Sequence, residues 1–145
     1  RRSGVPRGWS AEARDRIGRF EQLASVIATG AEDEKALWGA ADTAQIIRRV
    51  SRWSAEYLIR GGPAGCWIGC GPECQHVPTE PVTVIGDTAG AGDAHLAAYM
   101  AARVSGLGRA DAAAYANKAA AVIVGQRGSV PKDGAMFPPL PRACA

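Results

Sequence analysis

The stretch VIGDTAGAGDAH, residues 84–95, decides how this chain is read, because it joins two kinds of secondary structure through almost no bulk. Before it, "PVTVI" (81–85) predicts a strand; after it, helix formers run from Ala91 to about Ser105, with Leu96, Tyr99, Met100 and Val104 at spacings of three and four. A strand, a glycine turn and a helix in that order offer free backbone N–H groups and the positive end of a helix dipole to an anion, most often phosphate. Gly90 and Gly92 allow positive φ and a close approach to a ligand. The loop is neither a P-loop, since no Gly-Lys-Ser/Thr follows, nor a dinucleotide fingerprint, since the G-x-G-x-x-G spacing is missing. Asp93 falls in the first helical turn among the donors. A general base for phosphoryl transfer belongs there: it can take a proton from an attacking hydroxyl while the N–H groups hold developing charge. From the loop alone, the structural alternative stands beside this one, in which Asp93 caps the helix and the glycines only make a turn.

Working outward, strands alternate with helices. Ser10 predicts an N-cap for a helix to about Ser25, with Ala13, Ile17, Phe20 and Ala24 as its core face. "SVIATG" reads as a short buried strand ending at Gly30, and "AEDEKALWG" as an acidic-started helix closed by Gly39. Asp42, with Gln45 three residues on, opens another helix that buries Ile46, Ile47, Val50 and Trp53. "AEYLIRGG" and "GCWIG" read as two strands around the turn "GGPAG". A last helix runs from about Arg109 to Val124, and residues 134–145 read as a coil tail. The alternation predicts an α/β layered fold, helices packed on a sheet, as a single unit over residues 1–145.

Composition narrows the class. The 145 residues suffice for one compact domain, and 47% hydrophobic with 21% charged is ordinary for a globular chain. The formal charge is only +3, and the arginines are dispersed, which argues against a nucleic-acid partner. No apolar run has the length of a membrane span, and the opening "RRSGVPRGWSAEARD" lacks an apolar signal region, so the expectation is a cytoplasmic protein without a membrane partner. The chain opens without methionine, in a segment that reads as the middle of something longer.

The residues resemble the ribokinase-like, or PfkB, carbohydrate kinases. That family's signature Asp-Thr-x-Gly-Ala-Gly-Asp stands here as Asp87-Thr88-Ala89-Gly90-Ala91-Gly92-Asp93. "YLIRGGPAG" resembles the family strand ending in Gly-x-x-Gly beside the nucleotide, with Gly62 and Gly65. "ANKAAAVIVGQRGSVP" resembles the helix and loop closing over the adenine, with Asn117 and Gly128. The likeness runs over nearly the whole chain but covers only the C-terminal portion of a three-layer α/β/α fold about twice this length, without the lid and most sugar contacts. It implies an ATP-dependent sugar kinase using Mg2+ and, in several members, K+. Asp93 would be the catalytic base and the N–H groups of Ala91, Gly92 and Asp93, helped by Gly90, the anion hole. Asp87 and Thr88 would lie near the phosphates and a monovalent cation; Gly62, Gly65, Asn117 and Gly128 would line the nucleotide pocket. The partners would be ATP, a small sugar and, in a full-length form, a second copy paired through the lid. "EDEKALWG" faintly resembles the branch acting on 2-keto-3-deoxygluconate or fructose-like sugars.

Two positions depart from the family pattern. Its Asn-x-x-Glu motif, which organises magnesium and phosphates, should fall in "TGAEDEKALWG", where the frame offers either Gly30 with Asp33 or Ala31 with Glu34. Where the family has an aromatic residue and then a glycine, this chain has His95 and Ala98. A rival function is a non-catalytic nucleotide-binding or interaction module derived from such a kinase half. Cys66, Cys70, Cys74 and His76 cluster in "CWIGCGPECQH", but their spacing does not suit the common zinc fingers; they read as ordinary thiols with no metal site. His95 lines a sugar pocket or simply packs, with packing the expectation, and the tryptophans Trp9, Trp38, Trp53 and Trp67 read as core or surface anchors rather than stacking platforms.

Overall fold

The computed structural model describes residues 9–83, 86–131 and 137–141. The element order is α1 (Ala11–Leu23), β1 (Val26–Gly30), α2 (Ala31–Trp38), α3 (Thr43–Val50), β2 (Glu56–Arg60), a 3₁₀ turn (Gly62–Ala64), β3 (Cys66–Cys70), β4 (Glu73–Val77), α4 (Ala91–Val104) and α5 (Arg109–Val124). One mixed sheet in the order β1-β2-β3-β4 has a parallel β1/β2 pair and two antiparallel pairs. The parallel pair needs a crossover, which α2 and α3 supply; the antiparallel pairs need only short turns.

Register sorts the side chains into two cores. Leu58 pairs with Ile68, and Arg60 with Cys66, so these residues share one face with Ala28 and Val77. That face packs on Tyr99, Ala102, Ala112, Ala113 and Ala116 of α4 and α5. The opposite face, with Ile27, Tyr57 and Ile59, packs on Ile46 and Val50 of α3. Tyr57, Leu58 and Ile59 are all fully buried, which explains why β2 reads as a continuous apolar run: it is covered on both sides. Helices therefore lie on both faces of one sheet, in three layers.

Local signals act as expected at several ends. The Ser10 hydroxyl accepts from Ala13 N at 3.1 Å, and Asp42 accepts from Gln45 N at 2.8 Å. Gly39 ends α2 in the left-handed conformation, and α4 and α5 span the two alanine-rich runs. Three expectations need correction. The apolar face expected for α1 is only marginally core: no residue of the helix is fully buried, Phe20 is 75% exposed, and Ala24, at its end, packs half-buried against the core around Ile46 and Tyr57. The helix is held instead by polar contacts, Arg14 Nε to Leu37 O at 2.6 Å and Glu21 to Arg49. The strand expected at 81–85 is absent over its described part, 81–83, while Val84 and Ile85 lie outside the described residues. An unexpected strand, β4, forms from the polar segment ECQHV, because β3 supplies hydrogen-bonding partners that its own pattern does not advertise. In the tail, 137–141 form neither helix nor strand, and Tyr115 donates to Pro138 O at 3.1 Å; the remainder of 134–145 lies outside the described residues.

Candidate functional site

Gly90 is the N-cap of α4, with φ +77°, and it carries no side-chain cap. A Cβ there would meet the backbone and Cβ of Ser129 at 2.7 to 3.0 Å, so the turn is pressed against the 126–130 loop. Asp87 Oδ1 accepts from Ala89 N at 2.9 Å, and Ala91 N donates to Thr88 O at 3.2 Å, which winds the turn before the helix. Ala91 is thereby engaged in the turn. Among the described residues, the N–H groups of Gly92 and Asp93 have no acceptor. Asp93 occupies the third helical position, exposed and without a hydrogen-bond partner among the described residues, so it does not serve as the cap. A free carboxylate beside two free donors at a helix start is what remains.

Next to this turn lies a cavity of about 510 Å³, lined by Thr88, Ala91, Gly92, Gly62, Gly65 and Asn117, together with Arg60, His95, the 79–82 segment and part of α5. Seven of the positions singled out in the sequence, His95 among them, thus converge on one space. Asp87, Gly90, Asp93 and Gly128 are not part of its lining: Asp93 stands outside it on the exposed side of the turn, and Gly128 belongs to the loop that braces Gly90. A larger opening, about 650 Å³, lies between the α4–α5 turn and the 138–141 tail and contains none of the glycine-loop residues.

The cavity wall contains a buried polar pair. Asn117 Nδ2 donates to Val77 O and Pro78 O at 3.2 and 3.1 Å, and its Oδ1 faces His95 Nε2 at 2.9 Å. Backbone carbonyls only accept, so the amide nitrogen must face them. His95 Nε2 must then carry the proton, leaving Nδ1 as a buried acceptor without a partner among the described residues. Burial pushes the His95 imidazole below the usual histidine range; the Asn117 bond opposes this and the Arg60 charge adds to it. Asn117 therefore ties the 77–78 segment to α5 and orients His95. With both amide hydrogens engaged, it shapes the wall and offers no free donor.

The acidic helix α2 gives the two acids of the candidate frames different surroundings. Glu34, 2% exposed, accepts from Arg49 Nε and Nη2 at 2.7 Å each and from Thr29 Oγ1 at 2.9 Å. Arg49 also pairs with Glu21 at 2.6 Å and lies 4.6 Å over the Trp38 ring. Glu34 is thus consumed by packing. Asp33 is exposed, and its Oδ2 stands 2.6 Å from where a Cβ on Gly30 would be, at the C-terminal end of β1. Gly30 pairs in register with Arg60, and Arg60 Nη1 stands 2.5 Å from where a Cβ on Gly92 would be. Asp33, Arg60 and the α4 turn hence form a row across the strand ends, where ligands of parallel sheets bind.

The cysteine cluster is dispersed by strand alternation. Cys66 and Cys70 lie on the face toward α4 and α5, while Cys74 and His76 lie on the other, His76 stacked on Trp67 at 4.7 Å. Burial pushes the Cys66 thiol up to about 11, so it stays protonated near neutrality. Sequence reasoning missed Arg60 and the 79–82 segment. A lone arginine at a strand end carries no signal, and 81–85 had been assigned to a strand.

A model of the pfkB family of carbohydrate kinases matches residues 4–133. The 2-dehydro-3-deoxygluconokinase of Dickeya dadantii is 27% identical over 131 residues, covering 86% of this chain and 42% of that protein. The protein of the same name from Escherichia coli is 30% identical over 103 residues, covering 68% and 33%. Adenosine kinase from Sinorhizobium meliloti superposes with a TM-score of 0.79 at 20% identity, over 86% of this chain and 38% of its own. A Vibrio cholerae fructokinase, solved with fructose, ADP and a calcium ion, gives 0.73 at 22% identity, over 81% and 40%. These likenesses show a ribokinase-like α/β fold. The chain spans less than half the length of the curated relatives it matches. Among the described residues, no helix is long and apolar enough to cross a membrane.

Proposed function

The chain belongs to the pfkB family of carbohydrate kinases, and on that premise we propose that it is the C-terminal, nucleotide-binding and catalytic portion of an ATP-dependent sugar kinase. The observation that carries this is the exposed, uncapped Asp93 carboxylate beside the free N–H groups of Gly92 and Asp93 at the start of α4. Asp93 accepts the proton of a sugar hydroxyl as its oxygen attacks the γ-phosphorus of ATP. The bond from phosphorus to the β,γ-bridging oxygen breaks, and ADP leaves with the electron pair. The free donors and the α4 dipole hold the negative charge that builds up on the transferring group. Gly90 and Ala91 shape that anion hole through the turn, with the Ala91 N–H engaged to Thr88. Gly62 and Gly65 line the nucleotide side, Asn117 sets its wall and Gly128 belongs to the loop behind Gly90. Asp87 and Thr88 lie beside the phosphates, near where K+ would bind.

Magnesium suits the residues present, because this ion needs only one or two carboxylates alongside water and phosphate oxygens. Asp33 is an acid at the strand ends with no ion pair among the described residues, and it takes the acidic role in place of Glu34. When bound, Mg2+ would neutralise phosphate charge.

The sugar is a keto sugar or keto-deoxy sugar acid, supported by the names of two curated relatives and by the fructose in the Vibrio cholerae structure. We place the protein in the cytoplasm, with a homodimer formed by the full-length kinase. The test is ADP release from ATP over a panel including 2-dehydro-3-deoxygluconate and fructose, for wild type and Asp93→Asn. The variant should lose on the order of 10²–10⁴-fold in turnover while still binding ATP. Undiminished turnover in the variant sinks the base assignment. ATP binding without turnover by the wild-type chain points to a binding module.

A further inference from the structure

We infer that the outer face of α5 is a docking groove for a polyproline strand, occupied at rest by residues 137–141 of this chain and open, once they release, to a proline-rich segment of a partner protein.

The conformation of the strand is set by its sequence. In Phe137-Pro138-Pro139-Leu140-Pro141, every residue either is a proline or immediately precedes one. Proline fixes φ near about −65°, and the residue before a proline is driven to extended backbone, so the segment is held near the polyproline II helix before it touches anything. It forms neither helix nor strand in the structure. Such a preformed segment loses little conformational entropy on docking. Its carbonyls have no internal partners and remain free to accept.

The groove supplies the matching group. Asp111, Ala114, Tyr115 and Lys118 recur at spacings of three and four along one face of α5, turned away from Ala112, Ala113 and Ala116, which pack on the sheet. Pro138, Pro139 and Pro141 line the same space from the other side. The Tyr115 hydroxyl donates to Pro138 O at 3.1 Å. An aromatic ring carrying a donor is what a polyproline strand requires, because its prolines have no N–H to give and offer only apolar rings and carbonyl oxygens. From Asp111 to Lys118 the helix rises about 10 Å, and five residues of polyproline span about 15 Å, so one strand covers the face.

The tail is held loosely enough to exchange. The Tyr115 bond is its only hydrogen bond to the rest of the chain among the described residues. Phe137 and Leu140 are each 39% exposed, and no residue of 137–141 belongs to either core. The cavity of about 650 Å³ lies between tail and helix, so contact is concentrated at Tyr115 rather than spread by packing along the strand. Departure of the tail thus leaves the sheet and its helices intact. Asp111 and Lys118, one turn to either side of Tyr115, have no ion pair among the described residues and stay available to a strand with charged flanks.

The experiment is fluorescence anisotropy of a labelled Phe-Pro-Pro-Leu-Pro peptide, and of a control with alanine in place of each proline, titrated with the 145-residue chain. Three proteins are compared: wild type, the triple variant Pro138→Ala, Pro139→Ala, Pro141→Ala, and that variant carrying Tyr115→Phe as well. Circular dichroism verifies the fold and sedimentation gives the oligomeric state. The proline peptide should bind the triple variant at least about tenfold more tightly than wild type, where the tethered tail competes at an effective concentration in roughly the millimolar range. Adding Tyr115→Phe keeps the ring and should weaken binding about fivefold to tenfold, the worth of one hydrogen bond. The alanine peptide should bind at least about tenfold more weakly than the proline peptide. Binding of neither peptide by the triple variant, or of both equally, overturns the docking role, as does an affinity that Tyr115→Phe leaves unchanged. Unfolding of the triple variant overturns it too, because the tail is then part of the folded core. A wild-type dimer that the triple variant does not form would place the tail on a second copy and overturn its docking in cis.

Discussion

Two glycines on adjacent rungs of the same turn should answer the same methyl group with opposite signs. At Gly90, alanine must adopt φ +77°, which costs about 1–2 kcal/mol for a residue with a Cβ. Its methyl would also press on Ser129 Cβ at 2.7 Å, O at 2.9 Å and Cα at 3.0 Å. Two of those atoms are backbone and cannot rotate away, so the 126–130 loop must shift, at about 1–3 kcal/mol. The sum is a loss of roughly 2–5 kcal/mol, which at this chain length lowers Tm by on the order of 10 °C. At Gly92 the backbone is helical and the obstacle is Arg60 Nη1, the far end of a flexible side chain. Alanine there gains about 0.5–1 kcal/mol of helix propensity once Arg60 swings aside. Urea melts of both variants measure the contrast directly. Gly92→Ala carries a second signature: displacing Arg60 should weaken ATP binding while stability holds or rises. A Gly90→Ala variant within about 0.5 kcal/mol of wild type, or a Gly92→Ala variant destabilised as much as Gly90→Ala, would refute the geometry of this turn.

Arg49→Ala should cost about 3–5 kcal/mol in urea melts, because it strands the buried Glu34 carboxylate and Glu21 without their counterion. Arg49→Lys should recover only part of this, since an ammonium cannot reproduce the fork that holds both carboxylates; a loss below about 1 kcal/mol for Arg49→Ala would show that Glu34 is not sealed off. Stability should also fall on acidification through His95. Its folded pKa is lowered, so below about pH 6.5 the unfolded chain takes up a proton that the folded imidazole refuses. The contribution is fully present above that pH and declines below it, with a slope of at most about 1.4 kcal/mol per pH unit. Comparing melts at pH 7.5 and 5.5 for wild type and His95→Gln checks this, and an equally steep decline in the variant would assign the titration elsewhere.

Much of the architecture was legible because it is written locally. The extent of α4, the caps at Ser10 and Asp42 and the glycine that ends α2 each depend on a few neighbouring residues, and each is found where it was expected, although Met100 and Val104 of the α4 apolar spacing are exposed. The glycine loop was legible for the same reason, down to Asp93 in the first turn. Where a segment's state depends on a distant partner, local pattern misled. ECQHV becomes a strand because β3 lies beside it, and the apolar stripe of α1 is only partly covered, with Ala24 against the core and Phe20 exposed.

The sequence by itself determined the turn: a glycine loop that opens a helix, with the Asp93 carboxylate in its first turn. Only the tertiary structure decided its company. It removed Asn117 from the free donors by engaging its amide with Val77, Pro78 and His95, and it sealed Glu34 against Arg49 while leaving Asp33 exposed. It also brought Arg60 up to Gly92. Backbone propensity and side-chain periodicity act between near neighbours along the chain, whereas the meeting of charges depends on distances set by strand register and helix packing.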